Sequence, residues 1–239
     1  MAFTRYFIGS VHAFITMSEK VAADGRELTD KPVRTVAHPL YDNFGKHISK
    51  EAARVALNIG RDEKIALFFG FIREYKGLDL LLEAMAILKA RWNEKDLPLP
   101  KLLIAGEFYE SRKKYDELIE KLRISGNVIL HTDFIPDSQV KNYFCAADVV
   151  VQPYRNATQS GVTPLAYHFE VPMIVTNVGG LAALVPHGRV GLVCEADPDS
   201  IADTLYRYFK MGSEGLIAGL REEKGKYSWG KLTDAVFSV

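Results

Sequence analysis

Two short stretches of this sequence gather side chains that can hold an anion. The first, residues 70–77, reads Gly70-Phe71-Ile72-Arg73-Glu74-Tyr75-Lys76-Gly77. Its glycines let the backbone come close to a ligand, and Arg73 and Lys76 place two cations ahead of a helical pattern, a combination suited to a diphosphate. The ordinary alternative is a solvated turn whose cations pair with Glu74 or Asp79. The second, residues 153–163, is rich in small and hydrogen-bonding side chains and runs into a segment whose apolar members include Leu165, Ala166 and Phe169. If that segment is a helix, the backbone N–H groups of Ser160, Gly161, Val162 and Thr163 face an anion or a sugar phosphate. A plain capped loop is the alternative. A third stretch, Val178-Gly179-Gly180-Leu181, by itself signals only a tight turn.

Other chemistries lack their residues. There is no Gly-Lys-Ser/Thr phosphate loop and no Gly-x-Gly-x-x-Gly after the first strong strand, which argues against standard nucleotide hydrolysis and the common dinucleotide fingerprint. The histidines, His12, His38, His47, His131, His168 and His187, are scattered without metal-ligand spacing, so no metal site is expected. No serine occupies a nucleophile elbow. Cys145 and Cys194 are too few and too far apart for a disulfide framework, and a reducing cytoplasm is the expected compartment.

The elements that must position these loops follow from periodicity. The 239 residues are 48% hydrophobic and 25% charged, a globular composition with room for one large domain or a domain plus a fragment. Thirty basic residues balance thirty acidic ones, which gives no bulk electrostatic attraction to nucleic acid. The longest apolar runs, residues 65–72 and 78–88, are interrupted by Gly70, Asp79 and Glu83 and fall well short of the ~20 apolar residues of a spanning helix. From Lys64 onward short apolar runs alternate with helix-period segments, the pattern of parallel strands joined by crossover helices. Strands are expected over residues 65–69, 102–105, 128–130, 148–151, 173–176 and 191–194. Leu78, Leu81, Leu82, Met85 and Leu88 recur at helical spacing, Asp137 or Ser138 is placed to cap a further helix, and Asp197-Pro198 opens another. The fold class is therefore α/β, a Rossmann-like doubly wound parallel sheet of about six strands. In such sheets ligands lie beyond the carboxyl ends of the strands, where these loops converge.

The first part does not fit that alternation. Residues 1–17 read as strand, residues 14–17 and 33–37 as two strands with a polar stretch between them, and residues 49–58 as a linker helix ended by Gly60. This resembles the end of a preceding domain, so residues 1–44 are expected to be a remnant and residues 45–239 the complete unit.

Taken in order, Phe-Phe-Gly followed by Lys-Gly-Leu-Asp (ending at Asp79), Leu-Ile-Ala-Gly-Glu (ending at Glu107), Ala-Ala-Asp-Val-Val-Val-Gln-Pro (ending at Pro153), Pro-Met-Ile-Val-Thr-Asn-Val-Gly-Gly-Leu (ending at Leu181) and His-Gly-Arg-Val-Gly-Leu-Val (ending at Val193) resemble the donor-binding half of family 4 retaining glycosyltransferases of the GT-B fold. The resemblance covers residues 46–239. It implies a two-domain enzyme whose C-terminal domain holds a nucleoside-diphosphate sugar and whose N-terminal domain holds a glycan or lipid-linked acceptor, with a hexosyl group transferred and no metal or other cofactor required. Lys76 matches the family lysine on the donor diphosphate, a catalytic role because it neutralises the leaving group. The family arginine follows the glycine that is Gly70; this chain has Phe71 there, and Arg73 is the substitute. Phe134 and Ile135 match the segment beside the nucleobase.

The family's paired glutamates fall at Ala157 and Leu165, and a further one at Ala183. A subset of similar sequences carries an Ala-Thr-Gln-Ser-Gly loop like residues 157–161, which makes Gln159, Ser160 and Thr163 candidates to hydrogen-bond the sugar with neutral groups. The competing readings are a non-catalytic nucleotide-binding or assembly module, and a GT-B enzyme that epimerises or hydrolyses nucleotide-sugars. Under the glycosyltransferase reading, residues 1–44 are expected to end the acceptor domain, the isolated chain to bind donor without turnover, and apolar residues such as Phe14 and Ile15 to favour self-association.

Overall fold

The computed structural model describes residues 2–17, 19–40, 43–157 and 160–239. The chain divides into two compact units, one of residues 1–40 with 223–239 and one of residues 41–222.

In the first unit, helix α1 (Ala2–Gly9) precedes strand β1 (Phe14–Thr16), helix α2 (Glu19–Arg26) and strand β2 (Val33–Thr35). The strands pair in parallel, Phe14 opposite Val33 and Thr16 opposite Thr35, so α2 is a crossover helix. The reading of residues 1–17 as strand is corrected: only the last part is extended. A short apolar run does not by itself separate helix from strand, and Lys31 secures the helical choice by donating to the carbonyls of Ile8 (2.7 Å) and Val11 (2.5 Å). Phe14 and Ile15 are half-buried, while Tyr6, Phe7, Leu28, Trp229 and Phe237 are among the exposed apolar side chains.

The second unit opens with helix α3 (Lys50–Ala56), capped by Ser49 Oγ, which accepts from the Ala52 N–H at 3.2 Å. Asn58, not Gly60, turns the chain out of it: Asn58 has φ 54°, and the next N–H, that of Ile59, bonds back to the Arg54 carbonyl at 2.9 Å. Asparagine tolerates the left-handed region better than most residues.

Then follow strand β3 (Ile65–Phe69), helix α4 (Leu78–Arg91), strand β4 (Lys101–Ala105), helix α5 (Lys113–Lys121), strand β5 (Val128–His131), helix α6 (Asp137–Ala146), strand β6 (Val149–Gln152), helix α7 (Val162–His168), strand β7 (Met173–Thr176), strand β8 (Gly191–Cys194) and helix α8 (Pro198–Met211). The strands form one parallel sheet in the order β5-β4-β3-β6-β7-β8, the doubly wound order the alternation implied. Helix α6 departs in detail: Pro136 occupies its cap, with no side-chain cap bond from Asp137 or Ser138. Asp197 caps α8 as expected, accepting from the Ser200 N–H at 2.9 Å, with Pro198 at its start.

Alternate residues of each strand point to opposite faces. Ala66, Phe68, Leu102, Ile104, Val149 and Val151 pack with Leu78, Leu82 and Met85 of α4 and with Ile201, Leu205 and Tyr208 of α8. On the other face Phe69 meets Phe144 of α6 edge-on at 5.0 Å, and Phe144 meets Phe169 at 5.5 Å.

Asp148 ends the turn before β6 rather than beginning the strand. Its carboxylate accepts from the Ile65 N–H at 2.7 Å and pairs with Arg54 at 3.1 Å and Lys50 at 2.8 Å. Arg54 also donates to the Ala146 carbonyl at 3.2 Å. This charge pair joins α3 to the amino ends of the two central strands, opposite the carboxyl ends beyond which ligands lie in sheets of this type.

Helix α9 (Glu214–Lys224) and helix α10 (Trp229–Phe237) finish the chain. Residues 223–239 belong to the first unit, not with residues 45–222 as the sequence reading grouped them. Within that unit the Leu40 N–H donates to the Tyr227 carbonyl at 2.9 Å, and Arg34 donates to the Ser238 hydroxyl.

Candidate functional site

Strands β3 and β6 are neighbours at the centre of the sheet, with β4 and β5 on one side and β7 and β8 on the other. The loops leaving them therefore diverge and open a crevice at the topological switch point. Leaving β3, Gly70 (φ 96°) bonds back to the Ala105 carbonyl at 2.9 Å, and the chain turns through a single 3-10 turn (Glu74–Lys76) into α4. A Cβ at Gly70 would stand 3.1 Å from Lys76 Nζ, so the amine lies against this glycine. Gly77 (φ 66°) serves a different contact: a Cβ there would come within 2.0 Å of the Pro153 carbonyl oxygen. That glycine brings the two loops together rather than admitting a ligand.

Lys76 is 9% exposed and lines a cavity of about 320 Å³. Its Nζ lies 5.7 Å from the centre of the Tyr154 ring. Among the described residues no carboxylate is within ion-pair distance of it, and neither Glu74 nor Asp79 pairs with either loop cation; Asp79 is held by Arg155, with both N···O distances 2.7 Å. Burial, and then the neighbouring Arg73 charge, pull the Lys76 ammonium down to about 8. Burial likewise pushes the Tyr154 hydroxyl upward, so it remains neutral.

Arg73 does not line the cavity. Its guanidinium sits 4.8 Å over the Tyr109 ring, an attraction of a delocalised cation to an aromatic face. Phe71 takes the wall position and packs on Tyr109 at 4.5 Å. The two cations expected side by side over the site are thus separated, with Lys76 inside and Arg73 outside.

In the second loop Ser160, Gly161 and Val162 line the cavity. The Val162 N–H is not free as expected, because Ser160 Oγ accepts from it at 3.1 Å, as serine ahead of a helix commonly does. Ser160 Oγ also meets the Tyr154 hydroxyl at 3.2 Å. Thr163 faces the core: it is 2% exposed, and its hydroxyl shares 3.2 Å contacts with both amide atoms of Gln152. It is therefore not a wall residue. Gln159 lies outside the described residues. Phe134 and Ile135 form part of the wall beyond β5, with Phe134 67% exposed.

The third loop supports the second: a Cβ on Gly179 (φ 52°) would come within 1.9 Å of the Ala157 carbonyl oxygen, and the Gly180 N–H donates to that oxygen at 3.1 Å. Of the three positions lacking a carboxylate, Leu165 contributes an apolar side chain to the cavity, Ala157 is buried and Ala183 is exposed.

Sequence reasoning assigned no site role to Glu107, Asp137, Tyr75 or Tyr154, all of which line the cavity. Glu107 had a signal, since it follows the glycine closing β4. Gly106 (φ 132°) approaches so near that a Cβ would lie 2.4 Å from the Gly70 carbonyl oxygen. Among the described residues no group of three His, Cys, Asp or Glu side chains has the arrangement of a metal site, and no helix is long and apolar enough to cross a membrane.

The family model for glycosyl transferases group 1 matches residues 49–225. A D-inositol 3-phosphate glycosyltransferase of Corynebacterium urealyticum is 32% identical over 191 residues, 77% of this chain and 44% of that protein. Sucrose-phosphate synthase from Thermosynechococcus elongatus has the same fold, with a TM-score of 0.78 at 22% identity, over 99% of this chain and 61% of that one. HepE of Anabaena, solved in complex with UDP, gives a TM-score of 0.78 at 14% identity, over 96% of this chain and 64% of that one. The chain spans about half the length of the curated relatives it matches. The family match spans the whole six-stranded sheet whose order and central crevice were derived above, and the sheet is that of one half of a GT-B glycosyltransferase. This chain belongs to the group 1 glycosyl transferases.

Proposed function

We propose that the second unit binds a nucleoside-diphosphate sugar for metal-independent, retaining transfer of a hexosyl group to a glycan or lipid-linked acceptor. The observation that carries this reading is Lys76: a buried cation without a carboxylate partner among the described residues, on the wall of the cavity at the switch point of the sheet. A buried ammonium left uncompensated is unfavourable unless an anion completes it. In the reaction the bond from the anomeric carbon to the diphosphate oxygen breaks, a bond from that carbon to the acceptor hydroxyl oxygen forms, the hydroxyl proton passes to the departing diphosphate, and negative charge gathers on the leaving nucleoside diphosphate. Lys76 neutralises that charge within a partly water-excluded site, where such stabilisation is strongest. Exposed Phe134 and the Ile135 backbone offer the nucleobase a surface, and Glu107 and Asp137 offer acceptors to sugar hydroxyls. HepE, a protein of the same fold, was solved in complex with UDP, which supports a nucleotide as the partner of such a fold.

Residues 1–44, in this reading, belong to the acceptor-binding half, and the exposed Tyr6, Phe7 and Leu28 of the first unit favour self-association of the isolated chain. The buried free thiols Cys145 and Cys194 suit a reducing cytoplasm.

Thermal denaturation with uridine, guanosine and adenosine diphosphates tests the reading. At least one raises the melting temperature of the wild type, and Lys76→Ala abolishes the rise. No shift with any of the three, or an equal shift in both proteins, sinks the diphosphate site. The apolar Leu165 in the cavity favours one second reading, a nucleotide-binding module without transferase activity. It predicts the same thermal shifts but no glycosyl transfer even when the chain is supplied with an acceptor-binding half.

A further inference from the structure

Arg155 leaves β6 in the loop opposite Lys76, yet its bonds run across the crevice to the other loop. Its backbone N–H donates to the Tyr75 carbonyl at 2.7 Å. Its guanidinium donates to the Glu74 carbonyl at 3.1 Å and, in a bidentate fork, to both oxygens of Asp79 at 2.7 Å. Glu74, Tyr75 and Lys76 form a single 3-10 turn, and Asp79 sits in the first turn of α4 immediately beyond. One residue thus holds the turn that carries the lysine at two carbonyls, and the helix behind it at a carboxylate. Two features show that this grip serves geometry. Arg155 does not line the cavity. The Gly77 to Pro153 approach lies in the same seam, so the loops are in backbone contact where the guanidinium bridges them. Bidentate guanidinium–carboxylate pairs fix direction as well as distance, which a lysine ammonium does not.

We infer that Arg155 is a positioning residue for Lys76: the Arg155–Asp79 fork and the Glu74 carbonyl bond hold the lysine turn so that its amine lies over Gly70, inside the cavity. The inference rests on the reading of Lys76 as the diphosphate ligand only for its effect on binding; the placement itself is measurable without nucleotide. Burial is the largest single influence on the Asp79 carboxyl and raises it. The Arg155 hydrogen bonds and charge, together with the backbone N–H groups of Asp79 and Leu80, outweigh it and leave the carboxyl below its ordinary value, so the pair is charged across the neutral range.

The experiment has two arms, on the wild type, Arg155→Gln, Arg155→Lys, Lys76→Ala and the Arg155→Gln/Lys76→Ala pair, with melting temperatures recorded throughout. In the first, the pH dependence of amine labelling at Lys76 is followed by mass spectrometry in ligand-free protein. The midpoint near 8 moves upward by about one unit in Arg155→Gln as the amine gains water, and by less in Arg155→Lys. An unchanged midpoint in a folded Arg155→Gln overturns the inference. In the second, calorimetry with uridine, guanosine and adenosine diphosphates shows Arg155→Gln weakening the one that binds best by roughly tenfold in the wild-type background, and by less than about twofold when Lys76 is already alanine. Equal losses in both backgrounds mean that Arg155 acts on the fold and not through the lysine, which also overturns it. Should none of the nucleotides bind the wild type, the donor-site reading fails, while the labelling arm still decides where Arg155 puts the amine.

Discussion

Lys76 is held in a state that weakens the fold and suits the site. Its ammonium titrates near 8 in the folded protein, against 10.5 for the unrestrained side chain. Below pH 8 both forms of the chain hold this proton and the burial penalty is present in full, roughly 3 kcal/mol by the size of the shift. Between 8 and 10.5 the unfolded chain holds more protons, so this contribution to stability improves as pH rises. Lys76→Met should therefore be more stable than the wild type by about 1–3 kcal/mol at pH 7, and urea titrations should find that advantage shrinking as the pH passes from 8 towards 10.5. Affinity for nucleoside diphosphate runs the other way in the wild type: it falls as pH rises through about 8 and the amine loses its charge, which calorimetry across that range would detect. Lys76 was legible in the sequence through the resemblance of its loop to the family's diphosphate loop; spacing alone left a solvated turn as the alternative. Arg73 was not separable from it by spacing. Only the Tyr109 ring, which arrives from the loop after the next strand, draws its guanidinium out of the cavity.

At the level of the elements, short strands with continuous apolar character gave away the sheet, and their alternation with helices gave the doubly wound class; the strand order comes from the structure. The contacts between loops were hidden. Arg155 and Asp79 are 76 positions apart and meet only because β3 and β6 become neighbours in the sheet. Gly77 looked like a ligand-side glycine, yet its missing side chain admits the Pro153 carbonyl. Gly77→Ala combines that collision with a positive φ and should destabilise the protein by more than about 2 kcal/mol. Any nucleotide-dependent rise in its melting temperature should also be lost, a combination that denaturation with and without ligand reads directly. At the opposite end of the sheet Asp148→Asn leaves Arg54 buried without its charge partner. A loss of about 3 kcal/mol is expected there. The fraction that stays folded should keep its response to nucleotide, since this pair anchors the amino ends of the strands.

For the molecule as a whole, the family motifs fall within the second unit, and that is the part the sequence described well. The first unit was harder, because its two strands are three residues each and its closing helix comes from the far end of the chain. Residues 1–239 are predicted to bind donor nucleotide without sustained glycosyl transfer when assayed alone. Robust turnover by this polypeptide would show that the acceptor-binding residues lie within it after all.

The near-contact of Gly77 with Pro153, and of Gly106 with Gly70, sets the spacing of the loops by main-chain atoms, which the Arg155 fork braces. The side chains of the rim residues Phe134, Ile135 and Glu107 make none of these close approaches, so they are open to exchange. On the proposed reading, a scaffold built this way invites retooling: donor preference can drift, or be engineered, at the periphery, while the jaw proposed to grip pyrophosphate keeps its gauge.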